Sequence, residues 1–243
     1  MGAAIPAYNA ERWLADAIGS LLAQTVPPRD ILVLDDGSTD ATAAVAAGFG
    51  DPVRVVSQPN MGIGAARNRA VELVRGEVVA FLDADDLYTP SSIAVRLDVL
   101  AKHPHVGIVF GHERRFAEIR DGEPVPLGPS RPSPLPGSML VRRDVLERVG
   151  PFPTDARVAE GLDWLLRARE LSIEGVTVEE QALWRRVHGA NNSVRHRDSM
   201  GEFAHALKTS LDRRRDRASA AAEANVPIDV RRREDVRNRE VDP

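Results

Sequence analysis

Val78-Val79-Ala80-Phe81-Leu82-Asp83-Ala84-Asp85-Asp86 is the stretch on which the fold turns. Its five apolar residues, rich in Val and Phe, read as a strand buried on both faces, as the strands of parallel sheets are. The strand stops in three carboxylates within four positions. Acids crowded at the C-terminal end of a strand repel one another unless a cation or a proton is shared among them. In open α/β sheets the same end is where ligands bind. A plainer reading is a solvated turn, with Asp86 as an N-cap ahead of Leu87-Tyr88-Thr89-Pro90.

Upstream of this stretch, short apolar strands alternate with helical segments. Ala3–Ile5 leads into a helix around Ala10–Gln24, where Trp13, Leu14, Ala17, Ile18, Leu21 and Leu22 recur at helical spacing. Asp30–Leu34 is a second strand, closed by Asp35-Asp36-Gly37, and Ser38 or Thr39 caps a helix through Ala47. Val53–Ser57 and Glu77–Leu82 are the third and fourth strands, with a helix around Ile63–Val74 between them. This β-α-β-α order implies a parallel sheet with right-handed crossovers. Downstream the pattern loosens. Pro90–Ala101 reads as a helix, Val106–Phe110 as a strand, and Gly122–Pro136, with six prolines, as a mobile or extended loop. Ser138–Val141 and Ala182–Val187 read as strands. Arg143–Val149, Ala159–Glu170 and Ser199–Ala224 read as helices, and Asn225–Pro243 as a frayed, Arg-rich tail.

Composition narrows the function classes. The 243 residues suit one large α/β domain or a domain with an appendage, and 43% hydrophobic content supports a sizeable core. A net charge of −4 gives no general attraction to nucleic acid or membrane. The absence of cysteine excludes disulfides and thiolate chemistry and fits a reducing compartment. With neither a membrane-length apolar run nor a signal-peptide pattern, a soluble cytoplasmic protein is expected. The first strand looks clipped, because only Ala3-Ala4-Ile5 precedes Pro6, where proline is expected to end ladder pairing.

Four constellations fall at one edge of the inferred sheet. Pro6-Ala7-Tyr8-Asn9 follows the first strand, where Tyr8 either stacks on a planar ring or packs on its own helix. Asp36 is placed to accept hydrogen bonds from a base or ribose; the turn and cap explain Gly37 to Thr39 but not two preceding acids. Asn60-Met61-Gly62-Ile63-Gly64 brings glycines beside a helix start with Arg67 one turn in, a pairing suited to a diphosphate. Asp83 and Asp85 complete the set. No P-loop is present, and the glycine spacing is not that of a dinucleotide fingerprint.

With these motifs in this order the chain resembles the family 2 glycosyltransferases of the GT-A fold. The resemblance rests on Ile5-Pro6-Ala7-Tyr8-Asn9, on Leu34-Asp35-Asp36-Gly37-Ser38-Thr39-Asp40, and on Asn60-Met61-Gly62 with Ala66-Arg67-Asn68. It is completed by Gly76-Glu77 leading into Phe81-Leu82-Asp83-Ala84-Asp85-Asp86, and it extends over residues 3–190. It implies an α/β fold with a Rossmann-like, mostly parallel central sheet flanked by helices, and a C-terminal helical extension. It divides the chain into a domain at 1–198, with a nucleotide-sugar half at 1–112 and an acceptor half at 113–198, and an appendage at 199–243. The implied donor is a nucleotide sugar, UDP-sugars being the commonest, bound by Pro6, Ala7, Tyr8, Asn9, Asp36, Asn60, Gly62, Arg67, Asp83 and Ala84. Asp83-Ala84-Asp85 matches the family's Asp-any-Asp motif, so Asp85, with Asp83 and a late His188, would hold Mn²⁺ or Mg²⁺ on the diphosphate. The acceptor is left open, and neither nucleic acid nor an integral membrane segment is expected.

The implied reaction is an inverting displacement with one base deprotonating the acceptor hydroxyl. At that base the chain departs from the pattern. The family carries Glu-Asp at a helix start, often with Arg following; here Ala159-Glu160-Gly161-Leu162-Asp163-Trp164-Leu165-Leu166-Arg167 puts glycine where the acid belongs. Glu160 and Asp163, one turn apart, are the candidate bases, or else first-turn acids serving the helix dipole. Gly161 keeps a second reading open: a catalytically weak or inactive nucleotide-sugar-binding protein. A nucleotidyltransferase would need a glycine-rich triphosphate loop that Ile5–Arg12 does not supply. Arg185 and Arg186 either assist the diphosphate or are solvated, Trp164 is core or an acceptor platform, and Trp184 core or lid. Asp212–Arg217 reads as a solvated helix face.

Overall fold

The computed structural model describes residues 1–189, 191 and 197–224. The tail Asn225–Pro243 lies outside the described residues, as do Asn192 and Ser193. Ten strands form one sheet, and along it the order is β3-β2-β1-β4-β9-β6-β10-β5. The strands are β1 (Gly2–Ala7), β2 (Asp30–Asp35), β3 (Val53–Ser57), β4 (Val78–Phe81) and β5 (Leu87–Tyr88). They continue as β6 (Val106–Arg120), β7 (Glu123–Pro126), β8 (Arg131–Pro132), β9 (Leu140–Arg142) and β10 (Glu174–Arg186). β1 pairs in parallel with β2 and with β4, and β2 with β3. The chain therefore reverses direction across the sheet between β1 and β4, and the crevice at such a switch point is the general ligand site of open α/β sheets.

The two faces of the sheet are covered by different helices. Alternate residues of β1 point opposite ways: Ala3 and Ile5 join Leu14, Ile18 and Leu21 of α1 (Leu14–Leu22) and Ile93 and Leu100 of α4 (Ser92–Lys102). Ala4 joins Ala66 and Ala70 of α3 (Ile63–Leu73), Val145 and Leu146 of α5 (Arg143–Val149), and Trp164 of α6 (Glu160–Glu170). The short α2 (Thr42–Ala47) follows β2. Strands covered on both faces have to be apolar throughout, which is why Ile31–Leu34 and Val79–Leu82 read as uninterrupted runs.

Several expectations change. Pro6 does not end β1, which pairs with β2 through Ala7. The ladder to β4 stops at Ala4, so the missing N–H of Pro6 falls where no partner strand remains on that side. Asp86 caps no helix. β5 intervenes before α4, and the carboxylate of Asp86 is buried, accepting the Arg186 N–H at 2.8 Å. The proline-rich loop is extended rather than free, its β7 and β8 pairing with a β6 that runs well beyond Phe110. Trp164 is fully buried, donating its indole N–H to the Gly150 carbonyl at 2.8 Å and stacking on Phe152, so it offers no platform to an acceptor.

The C-terminal helix α7 (Gly201–Ala224) lies on α6. Arg213 is the clasp, reaching Asp163 at 3.0 Å and both oxygens of Glu170 at 3.0 Å. Burial raises the pKa of Glu170, but hydrogen bonds from Arg213 and Ser210 outweigh it and hold the carboxyl below its ordinary 4.5. Glu202, at the start of α7, is lowered in the same way, the Val158 and Arg157 N–H groups outweighing burial. Stabilisation from carboxyls with depressed pKa is complete above the ordinary value and is lost as pH falls through the folded value. Acidification below the ordinary carboxylate range is therefore expected to release α7 before the sheet opens. Hydrogen exchange should show α7 amides losing protection at a higher pH than those of β1, and in Arg213→Ala at a higher pH still.

Candidate functional site

A single cleft of about 660 Å³ opens at the C-terminal ends of β1, β2 and β4, a size suited to a small organic ligand. It is lined by Pro6, Ala7, Tyr8 and Asn9 after β1, Asp36 after β2, and Asn60, Gly62 and Arg67 around the start of α3. Asp83, Ala84 and Asp85 after β4 also line it, as do Glu160 on α6 and His188 after β10. Every residue singled out from sequence for the donor, metal and base is on the lining except Arg186, which is buried and bound to Asp16 and the Asp85 carbonyl, and Asp163. Asp163 is turned to Arg167 at 2.8 Å and to Arg213 of α7.

The rim between β1 and β2 is stitched by backbone-to-side-chain bonds. Asn9, held at φ 50°, donates its N–H to Ser38 and accepts the Thr39 N–H at 2.8 Å. Asp36 is buried and fully engaged: Oδ1 accepts the Gln58 amide at 2.7 Å and the Met61 N–H at 3.0 Å, and Oδ2 the Gly62 N–H at 2.9 Å. It anchors the loop that starts α3 as well as facing the cleft. Tyr8 is 43% exposed, so its ring face is open to a planar partner.

The floor is an ion cluster around one buried guanidinium. Arg67 is 5% exposed, donates to Asp83 Oδ1 at 3.0 Å and makes a close contact with Glu160 Oε1. Burial alone would lower its pKa, but the two carboxylates outweigh that and keep it firmly charged. Arg67 Nε and Glu160 Oε2 have no hydrogen-bond partner among the described residues. Thus Arg67 joins Asp83, at the end of β4, to Glu160, on the helix read as the base carrier.

Asp85 meets His188 because of the pairing next door. β5 runs antiparallel to β10, matching Leu87 with Trp184. Arg186 then donates its side chain to the Asp85 carbonyl at 2.9 Å and to Asp16 at 2.8 Å, and its N–H to Asp86. That leaves His188 Nε2 2.9 Å from Asp85 Oδ2, with its ring stacked on Trp13 at 3.9 Å between centroids. Asn191 also donates to Asp85 Oδ2, at 3.0 Å. Asp86 is pushed well above the ordinary carboxylate range by burial and then by the charges of Asp85 and Asp83. The crowding inferred from the sequence is real. Trp13 and Asn191 were not legible as site residues: Trp13 sits in a helix-like apolar pattern, and only the distant β5–β10 register brings it to His188.

Among the described residues no three His, Cys, Asp or Glu side chains converge as a complete cation site. Asp85 and His188 form a pair, with Asp83 beside them but committed to Arg67. Two protein ligands fit a hard divalent ion that completes its shell with substrate phosphate oxygens and water.

Gly161 has a steric explanation. A Cβ there would stand 2.5 Å from Pro136 Cγ and 2.9 Å from Cδ, so the ring of Pro136 fills the space a side chain would need. Gly137 next to it gives the same room to Asp83, whose Oδ2 would lie 2.8 Å from an added Cβ.

The profile of the Glycosyl transferase family 2 matches residues 3–150. The chain belongs to this family. Over 209 residues it is 32% identical to the uncharacterized glycosyltransferase alr2836 of Nostoc sp., an alignment covering 77% of this chain and 64% of that protein. It is 36% identical over 115 residues to chondroitin synthase of Escherichia coli, 46% of this chain and 17% of the synthase. The chain thus spans less than two thirds of the length of these relatives. Solved structures share the fold at 20% identity. S. aureus TarS 1-349 in complex with UDP-GlcNAc has a TM-score of 0.67, covering 86% of this chain and 64% of that one. The mannosyltransferase PcManGT of Pyrobaculum calidifontis, in complex with GDP-Man and Mn²⁺, has a TM-score of 0.64, with 85% and 64% covered. The helix-flanked, mostly parallel sheet expected from the motifs is the GT-A fold of family 2.

Because Gly161 is shaped by Pro136, restoring an acid there is expected to cost stability. Gly161→Asp and Gly161→Ala should each lose about 1–3 kcal/mol by overpacking. Pro136→Ala should recover most of the loss in a double-mutant cycle read by chemical denaturation.

Proposed function

We propose that this chain transfers a sugar, with inversion, from a nucleotide-sugar donor to an acceptor hydroxyl. The observation that carries the proposal is the meeting, in one cleft at the sheet's switch point, of an open aromatic ring, a buried arginine and the Asp85–His188 pair. Tyr8 and Asp36 would face the base and ribose, with UDP the first nucleotide to try. Asn60, Gly62 and the α3 start would lie along the diphosphate. Asp85 and His188, with Asp83 adjacent, would hold Mn²⁺ or Mg²⁺, which when bound supplies positive charge to the leaving diphosphate. The donor half is assigned to 1–112 and the acceptor half to 113–198, with His188 crossing to the donor side.

Glu160 is the preferred base. It lines the cleft, whereas Asp163 is held by Arg167 and Arg213. Glu160 Oε1 is occupied by Arg67, so proton removal through that oxygen requires the contact to loosen as substrates fill the cleft. The second reading, a nucleotide-sugar-binding protein without turnover, is favoured by that same contact together with the Pro136 ring over Gly161.

Thermal shift with UDP, UDP-GlcNAc and GDP-Man separates the donor site from its absence. A rise in melting temperature that needs Mn²⁺ or Mg²⁺ is expected for at least one ligand, and its loss in Asp85→Asn and His188→Ala. No metal-dependent rise with any nucleotide contradicts the donor site. Slow hydrolysis of the donor, which is transfer to water, separates the two readings: Glu160→Gln should lower it about 100-fold or more while leaving UDP binding within a few-fold. Unchanged hydrolysis removes Glu160 from the chemistry.

A further inference from the structure

The cleft has two unlike walls. The donor side carries most of the charged groups, interspersed with Trp13, Met61 and Ile63. The opposite side is made by Leu135 and Pro136 from the proline-rich segment, Val158 and Leu162 flanking the start of α6, and Phe203 from α7. Leu135 is 41% exposed and stands on the cleft lining beside Pro136. Thr154, Asp155 and Arg157 supply the polar groups on that side.

Phe203 is held there by its neighbour. The Glu202 carboxylate accepts the N–H of Arg157 at 2.8 Å and of Val158 at 3.0 Å, satisfying backbone donors just ahead of α6. Further along, Arg213 clasps Asp163 and Glu170. α7 is therefore fixed to α6 at two places, and the first residue past the Glu202 tether faces the cleft. All of this lies beyond residue 150, where the family match ends.

We propose that the start of α7 completes the acceptor site, and that the acceptor is a hydroxyl compound carrying an apolar aryl or alkyl group that packs on Phe203, Leu162 and Leu135. The reasoning is that of ligand pockets generally: apolar lining provides the burial, and a few polar groups aim the reacting atom. Here the hydroxyl would be directed at Glu160, so the proposal rests on the transferase reading above. Glu202 acts as a positioning residue for Phe203 and for the turn before Glu160.

The test uses the full chain and two probes differing only in the aglycone: p-nitrophenyl β-D-glucoside and methyl β-D-glucoside. Their dissociation constants are measured by ligand-observed NMR with UDP and Mn²⁺ present, and UDP binding is titrated separately. The aryl glucoside is expected to bind at least 10-fold more tightly. In Phe203→Ala that preference should fall to under 3-fold; in Phe203→Leu, which keeps an apolar side chain and guards against misfolding, most of it should survive. UDP affinity should stay within 2-fold in both variants. No preference for the aryl probe, or a preference that outlives Phe203→Ala, overturns the acceptor wall. Failure of UDP to bind the unaltered chain strikes the transferase reading instead, and the two failures are read in separate titrations.

Discussion

One buried guanidinium holds the two halves of this site at a fixed separation. Arg67 sits on α3, whose start shapes the cleft, and it grips Asp83 at the end of β4 and Glu160 at the start of α6. Its cation also lies 5.9 Å from the Phe152 ring, below which Trp164 fills the core. Taking the Arg67 and Glu160 charges out of water is costly, while Asp83 keeps 41% of its side chain exposed, and removing either buried partner leaves the other uncompensated. The cluster therefore survives only if α3, β4 and α6 keep their places. What stability it gives up, it returns as a defined geometry between the β4 and α6 sides of the cleft.

The packing around the cluster follows the same constraint. Gly137 and Gly161 are the two points where the proline-rich segment comes close, one against Asp83 and the other beneath the Pro136 ring. A second buried acid secures that segment from the far side: Glu113 on β6 is paired with Arg131 and accepts the Ser133 hydroxyl. Burial raises its pKa, yet those hydrogen bonds outweigh the effect and keep it ionised. So the proline-rich side of the cleft, built from the least regular part of the chain, is nonetheless tied down at each end.

Much of the cleft lining was legible in the sequence because most of its motifs directly follow a buried strand. Once Ile31–Leu34 and Val79–Leu82 are read as parallel strands, Asp36 and Asp83 must emerge at one edge of the sheet. What stayed hidden depends on pairings far apart in sequence. The Leu87–Trp184 register brings His188 to Asp85 and Trp13 to His188, and no local pattern reports a register. Asp86 looked like a cap because a short strand of two residues leaves almost no signature. Glu160 and Asp163 share a helix face by spacing, with Glu160 the favoured of the two, yet one faces Arg67 and the other α7. Gly161 read as a lost acid, and only the ring of Pro136 accounts for its bareness.

On the function proposed above, the acidic end of β4 and His188, two residues past β10, would make the metal end of a nucleotide-sugar cleft. A crystal grown with UDP and Mn²⁺ tests it most directly, through the anomalous signal of the ion. The account requires a Mn²⁺ peak between Asp85 and His188, bridged to the diphosphate, with the uracil against Tyr8. A peak elsewhere, or UDP bound with no ion at that pair, would contradict it.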